Sequence, residues 1–185
     1  MNTSAVSPGR AGLLLLLSGQ MLPLIDTSIT NVALDAITHT LAASATQLEL
    51  IVAVYGVAFA VCLAMGSKLG DNYGRRRLFM WGVALFGIAS LLCGIANSIG
   101  ALLAARTLQG AGAALIVPQI LATLHVTLKG PAHARAISLY GGIGGIAFFA
   151  GQMGGGWLVS ADIAGLGVGN AFFIKLSPCP LGVGL

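Results

Sequence analysis

The chain has 185 residues, of which 57% are hydrophobic and only 8% charged, against roughly a quarter charged in an ordinary soluble domain. So few charges exclude a water-soluble globular protein, and a mean hydropathy of +0.94 excludes a disordered one. The formal net charge of +4 does not point to nucleic acid, because most of the basic residues collect in short segments between apolar stretches.

A helix crossing about 30 Å of hydrocarbon needs about 20 mainly apolar residues, and the chain offers such stretches in series. The first predicted helix covers 11–35, its apolar run from Ala11 to Leu34 interrupted only by Asp26. No small-residue cleavage site follows Ala11–Leu17 before Asp26, so this segment reads as a retained helix and not as a signal peptide. The second covers 46–67 and the third 78–96. The fourth, 99–124, contains Pro118, which a bilayer helix tolerates when neighbouring groups satisfy the freed backbone. The fifth covers 136–160, and a sixth begins at 169 and runs into the chain end. The expected fold class is therefore all-α membrane protein, with five transmembrane helices and an incomplete sixth. Beyond Lys175, Pro178 and Pro180 would each damage a continuing helix by about 3 kcal/mol, which leads to the expectation of a fragment.

Basic residues stay on the cytoplasmic side of a membrane when they sit in short loops. Lys68, Arg75, Arg76 and Arg77 lie between helices two and three, and Lys129 and Arg135 between helices four and five; the alternate connections carry no Lys or Arg. The amino terminus, with Arg10, is expected inside the cell, and the protein in the inner (plasma) membrane.

Two ionisable residues fall inside predicted spans, Asp26 and Arg106. Each opposes insertion by about 2.5–3.5 kcal/mol at a helix centre. Both lie roughly 10–14 Å below the outer surface, so they can share a level and offset each other's desolvation. Two readings follow: a static ion pair that fixes helix packing, or a protonatable centre that works during a transport cycle. Thr27, Thr30, Asn31 and Leu34 recur at three- and four-residue spacing, a face that either lines a water-filled path or bonds a neighbouring helix. Gln109, one turn from Arg106, is placed to bond that arginine, a substrate or another helix. Ala147, Gly151 and Gly155 form a small-residue ridge suited to close helix approach.

Cys62, Cys93 and Cys179 show neither disulfide nor zinc spacing, and His39, His125 and His133 are scattered. No H-E-x-x-H, G-x-S-x-G or phosphate-loop pattern occurs. Neither a metal, a cofactor nor an enzyme activity is expected.

The segment from Gly66 to Arg77, G-S-K-L-G-D-N-Y-G-R-R-R, read as the loop after helix two, resembles the signature G-x-L-a-D-r-x-G-r-r of the major facilitator superfamily at Gly66, Leu69, Asp71, Gly74, Arg75 and Arg76; Asn72 replaces a usual basic residue. Asp26–Leu34 is similar to the first-helix signature of the fourteen-helix drug:proton antiporter branch, with Asp35 where that branch often has proline. Arg106–Gly112, R-T-L-Q-G-A-G, including Gln109 and Gly110, is similar to its fourth-helix signature. The fifth-helix antiporter signature is matched in part by Gly151, Gly155 and Gly156, with Gln152 in place of proline. Gly169–Ile174 resembles the opening of the sixth helix.

The resemblance implies a cytoplasmic gate at Gly66–Arg76 and proton coupling at Asp26 and Arg106. It also implies a proton-coupled exporter of drugs or small amphipathic molecules, whose missing carboxy-terminal half would be required for a substrate path. Its partners would be protons, a small-molecule substrate and the lipid bilayer, with no nucleic acid. The alternatives are a metabolite or sugar transporter of the same superfamily, or a truncated membrane protein that transports nothing.

Overall fold

The computed structural model describes residues 10–161, which form five α-helices: α1 (Arg10–Leu41), α2 (Ala45–Tyr73), α3 (Arg75–Gly94), α4 (Ile99–Thr127) and α5 (Pro131–Ala161). No strand occurs among the described residues. The predicted start of a sixth helix at 169–185 lies outside them, as do Cys179 and the side chains of Arg10, Asp35 and His39.

The helix ends follow local chemistry. Ser44 caps α2 through a reciprocal box, its Oγ accepting from the Gln47 N–H at 3.3 Å while Gln47 Oε1 accepts from the Ser44 N–H at 2.9 Å. Ser98 caps α4 by accepting from the Ala101 N–H. Pro131 opens α5 at the position where a missing N–H is harmless. Between α2 and α3 a single residue, Gly74, leaves the helical conformation, at φ +91°, a backbone region that side chains with a Cβ avoid.

This corrects the expectation of a loop at Gly66–Arg77. Gly66–Tyr73 continue α2 and Arg75–Arg77 open α3. Hydropathy reports where a helix leaves the apolar layer, not where it stops, and charged residues can stay helical beyond that edge. The same reason extends α1 to Leu41, past the predicted 35, and starts α5 at Pro131, ahead of the predicted 136.

Among the described residues, α2, α3, α4 and α5 are each long and apolar enough to cross a membrane. Helix α1 buries four polar side chains, Gln20, Asp26, Ser28 and Thr30. Large apolar side chains such as Val61, Phe149 and Met153 point outward, as they should in a protein whose solvent is lipid. The chain is an all-helical, multi-pass membrane protein.

Helix α4 lies at the centre of a trio, packed lengthwise on α2 and α3, while α1 pairs with α5 and meets α4 over a shorter stretch. Contacts rise together along α1 and α5, Gln20 with Tyr140 and Ser28 with Phe148, so these helices run parallel; α3 runs antiparallel to α4. Two apolar clusters fill the interior. One gathers Ile37, Ile51, Cys93 and Leu102, the other Phe79, Phe86, Ile116 and Ile120. A polar layer separates them.

Candidate functional site

The polar layer is built on α4. Arg106 and Gln109, three residues apart, share one helix face, and both are buried, 1% and 0% exposed. Facing them from α1 is Asp26, 0% exposed. Arg106 Nη1 donates to Asp26 Oδ2 at 2.5 Å and to Gln109 Oε1 at 2.8 Å. Gln109 Nε2 donates to Asp26 Oδ1 at 2.8 Å and to Ser90 Oγ on α3 at 2.7 Å. The Cys93 thiol donates to Gln109 Oε1 at 3.4 Å. Both donor hydrogens and both acceptor positions of the Gln109 amide are thus engaged.

Tyr55 completes the layer from α2, with the Arg106 guanidinium carbon 4.5 Å from its ring centroid, a cation–π distance. Four helices therefore contribute to one charge-paired network. Arg106 Nε is buried with no hydrogen-bond partner among the described residues, so the guanidinium keeps one donor unspent. Asp26, Arg106 and Gln109 are legible in the sequence as polar groups within apolar spans. Ser90, Cys93 and Tyr55 are not, because a lone Ser, Cys or Tyr in such a helix has many ordinary uses.

Close approach of α2 to α4 holds Tyr55 in place. A Cβ on Gly110 would come within 2.4 Å of the Tyr55 carbonyl oxygen, and one on Gly66 within 2.4 Å of the Ala114 oxygen. Pro118 has no N–H to offer that Ala114 carbonyl, which is left facing α2. One residue on, Gln119 Nε2 donates to the Gly66 oxygen at 2.7 Å, and Gly70 leaves room for the same amide. Gly70 and Gln119 escape a reading by signature, although Gln119 is signalled as a second glutamine inside the fourth span.

Nearer the helix ends, Arg75 donates to Asp71 Oδ1 at 3.1 Å and to the Ala122 oxygen of α4 at 2.7 Å. The end of α2, the start of α3 and α4 are thereby tied together. Leu69 is half-buried, whereas Gly74 and Arg76 are exposed. Gly151 and Gly155 sit against Ser28, Ile25 and Ile29 of α1, and Gly156 makes only ordinary contact with Val32. Asn31 is not part of the polar layer: it is exposed while Thr30 is buried, because five helical residues turn it well away from Asp26.

The histidines are not all scattered. His125 in the last turn of α4 and His133 in the first turns of α5 meet across the connection, Nδ1 to Nε2 at 3.1 Å. Among the described residues, no group of three or more His, Cys, Asp or Glu side chains could hold a metal ion.

The stretch of chain that carries Asp26, the Gly74 junction and Arg106 is matched by a family model. The model for the Major Facilitator Superfamily covers residues 16–174. The chain belongs to that superfamily. Among superfamily relatives, the probable actinorhodin transporter of Streptomyces coelicolor is 37% identical over 173 residues, 94% of this chain and 29% of that protein. The puromycin resistance protein of Streptomyces alboniger is 36% identical over 148 residues, 80% of this chain and 29% of the relative. The tetracenomycin C resistance and export protein of Streptomyces glaucescens is 37% identical over 141 residues, 76% and 26% of the two chains. The chain spans less than a third of the length of these superfamily relatives.

Proposed function

We propose that the chain is the amino-terminal part of a proton-coupled exporter of drug-like or other small amphipathic molecules. In this reading it lies in the inner (plasma) membrane with its amino terminus in the cytoplasm, and it works with a carboxy-terminal half that supplies the other wall of the substrate path. The relatives' names, which speak of resistance and export, support the substrate class. Lys68, Arg75–Arg77, Lys129 and Arg135, gathered at one end of the bundle, support the orientation.

The observation that carries proton coupling is the buried Asp26–Arg106–Gln109 network. An ionised Asp26 draws α1 onto α4 through two charge-assisted hydrogen bonds. A proton on the carboxyl would cancel the charge on one partner and leave the guanidinium with Gln109 and the Tyr55 ring. The link between α1 and α4 would then weaken, the kind of change that lets one helix group move against another. The Asp71–Arg75–Ala122 tie on the same α4 would act as part of the cytoplasmic gate, together with Gly66, Leu69 and Gly74.

The test is proton-driven efflux by the full-length transporter carrying Asp26→Asn. Loss of coupling, with substrate binding retained, supports the reading. Unchanged coupling refutes it and leaves the network as a static pair.

A further inference from the structure

The three consecutive arginines at the head of α3 are not equivalent. Arg75 turns inward, to Asp71 and to the Ala122 carbonyl. Arg76 and Arg77 are exposed and form no ion pair among the described residues. The acid at this turn, Asp71, is already engaged by Arg75.

One helical turn further along lie Met80 and Trp81, 47% and 72% exposed. Spacing of four residues sets them on the same faces as Arg76 and Arg77. The apolar stripe continues through Ile88 and Leu92, both exposed, while the opposite side of α3, with Phe86 and Ser90, is buried. The exposed stripe therefore looks away from the bundle, into the lipid. An arginine fork matches phosphate oxygens in pairs, and an indole ring settles where headgroup meets acyl chain.

We propose that this end of α3 binds phospholipids with anionic headgroups. Arg76 and Arg77 hold the headgroup phosphate, and the glycerol region and upper acyl chain lie along Trp81 and Met80. Two unpaired guanidinium groups repel the cationic amine of a zwitterionic headgroup, so selection falls on lipids of net negative charge.

The chain carries its own control. It has two tryptophans; the second, Trp157, is 66% exposed near the other end of the bundle, where the connections 42–44 and 95–98 contain no Lys or Arg. The full chain is reconstituted into vesicles of phosphatidylcholine and phosphatidylglycerol at fixed ratio, with one or the other lipid brominated on its acyl chains to quench nearby tryptophan fluorescence. Trp157→Phe leaves Trp81 as reporter, and Trp81→Phe leaves Trp157.

Brominated phosphatidylglycerol should quench Trp81 more strongly than brominated phosphatidylcholine, and the two should quench Trp157 alike. Arg76→Gln and Arg77→Gln should each lower the local enrichment at Trp81 about fivefold, the equivalent of about 1 kcal/mol for a basic residue at a membrane surface. Raising the salt concentration should lower it in the chain with both arginines intact, a measurement that does not depend on how those variants fold. Equal quenching of Trp81 by the two lipids overturns the proposal. So does a preference that survives both arginine substitutions and salt, or one as large at Trp157 as at Trp81.

Discussion

At the scale of the residue, the chain turns on Asp26 and the two side chains that hold it. A carboxylate and a guanidinium enclosed together stabilise little relative to apolar replacements, but removing one partner strands the other. Asp26→Ala should therefore destabilise the bundle by about 3–5 kcal/mol, measured as thermal unfolding in detergent. Asp26→Asn should cost less, since its amide oxygen still accepts from Arg106. Asp26→Ala combined with Arg106→Met should recover stability lost in Asp26→Ala alone, and a double variant as unstable as the sum of the two singles would contradict the pairing. These residues announce themselves in the sequence because a charge in hydrocarbon demands a partner, and the chain offers one at matching depth. Tyr55, Ser90 and Cys93 stay hidden there: their contribution depends on helix rotation, which composition does not reveal.

At the scale of the element, α2 shows how the same residue type serves opposite ends. Gly56 and Gly66 lie on this one helix, yet a Cβ at Gly56 meets nothing within 4 Å whereas one at Gly66 meets a backbone oxygen at 2.4 Å. Gly56→Ala should be neutral or stabilising by about 0.5–1 kcal/mol, through helix propensity alone. Gly66→Ala should destabilise, because a backbone carbonyl cannot step aside as a flexible side chain can. Denaturation of both variants under identical detergent conditions checks the contrast, and equal effects would argue against the close α2–α4 approach. The number of described helices and their order follow from the apolar runs and the caps. Their ends do not, since the segment Gly66–Tyr73 stays helical after its composition has turned polar; its glycine spacing, taken for a turn, serves mainly to let two helices touch.

At the scale of the whole molecule, the described residues divide into the α2–α3–α4 trio and the α1–α5 pair, which meet chiefly along α1 and α4. Gly19 against Phe79 and Ile120, together with the Asp26 network, spans that seam. Spin labels at Ile88→Cys on α3 and Ile146→Cys on α5, both exposed positions, would follow it, with Cys62, Cys93 and Cys179 replaced by Ala or Ser. Asp26→Ala should broaden the distance distribution between the labels, while labels placed within the trio should be unaffected. A distribution that stays as narrow as in the unsubstituted chain would mean that apolar packing alone fixes the pair. The sequence anticipates the seam only as matching depth on two helices; that α1 belongs with α5 rests on the fit of Gly151 and Gly155 against Ser28 and Ile29. The junction at Gly74 carries a further implication for length variation. With one residue separating two helices, inserting or deleting a single amino acid there would twist α3 by about 100° about its own axis, swinging Ser90 and Cys93 off Gln109, so natural indels at this point should be far rarer than substitutions.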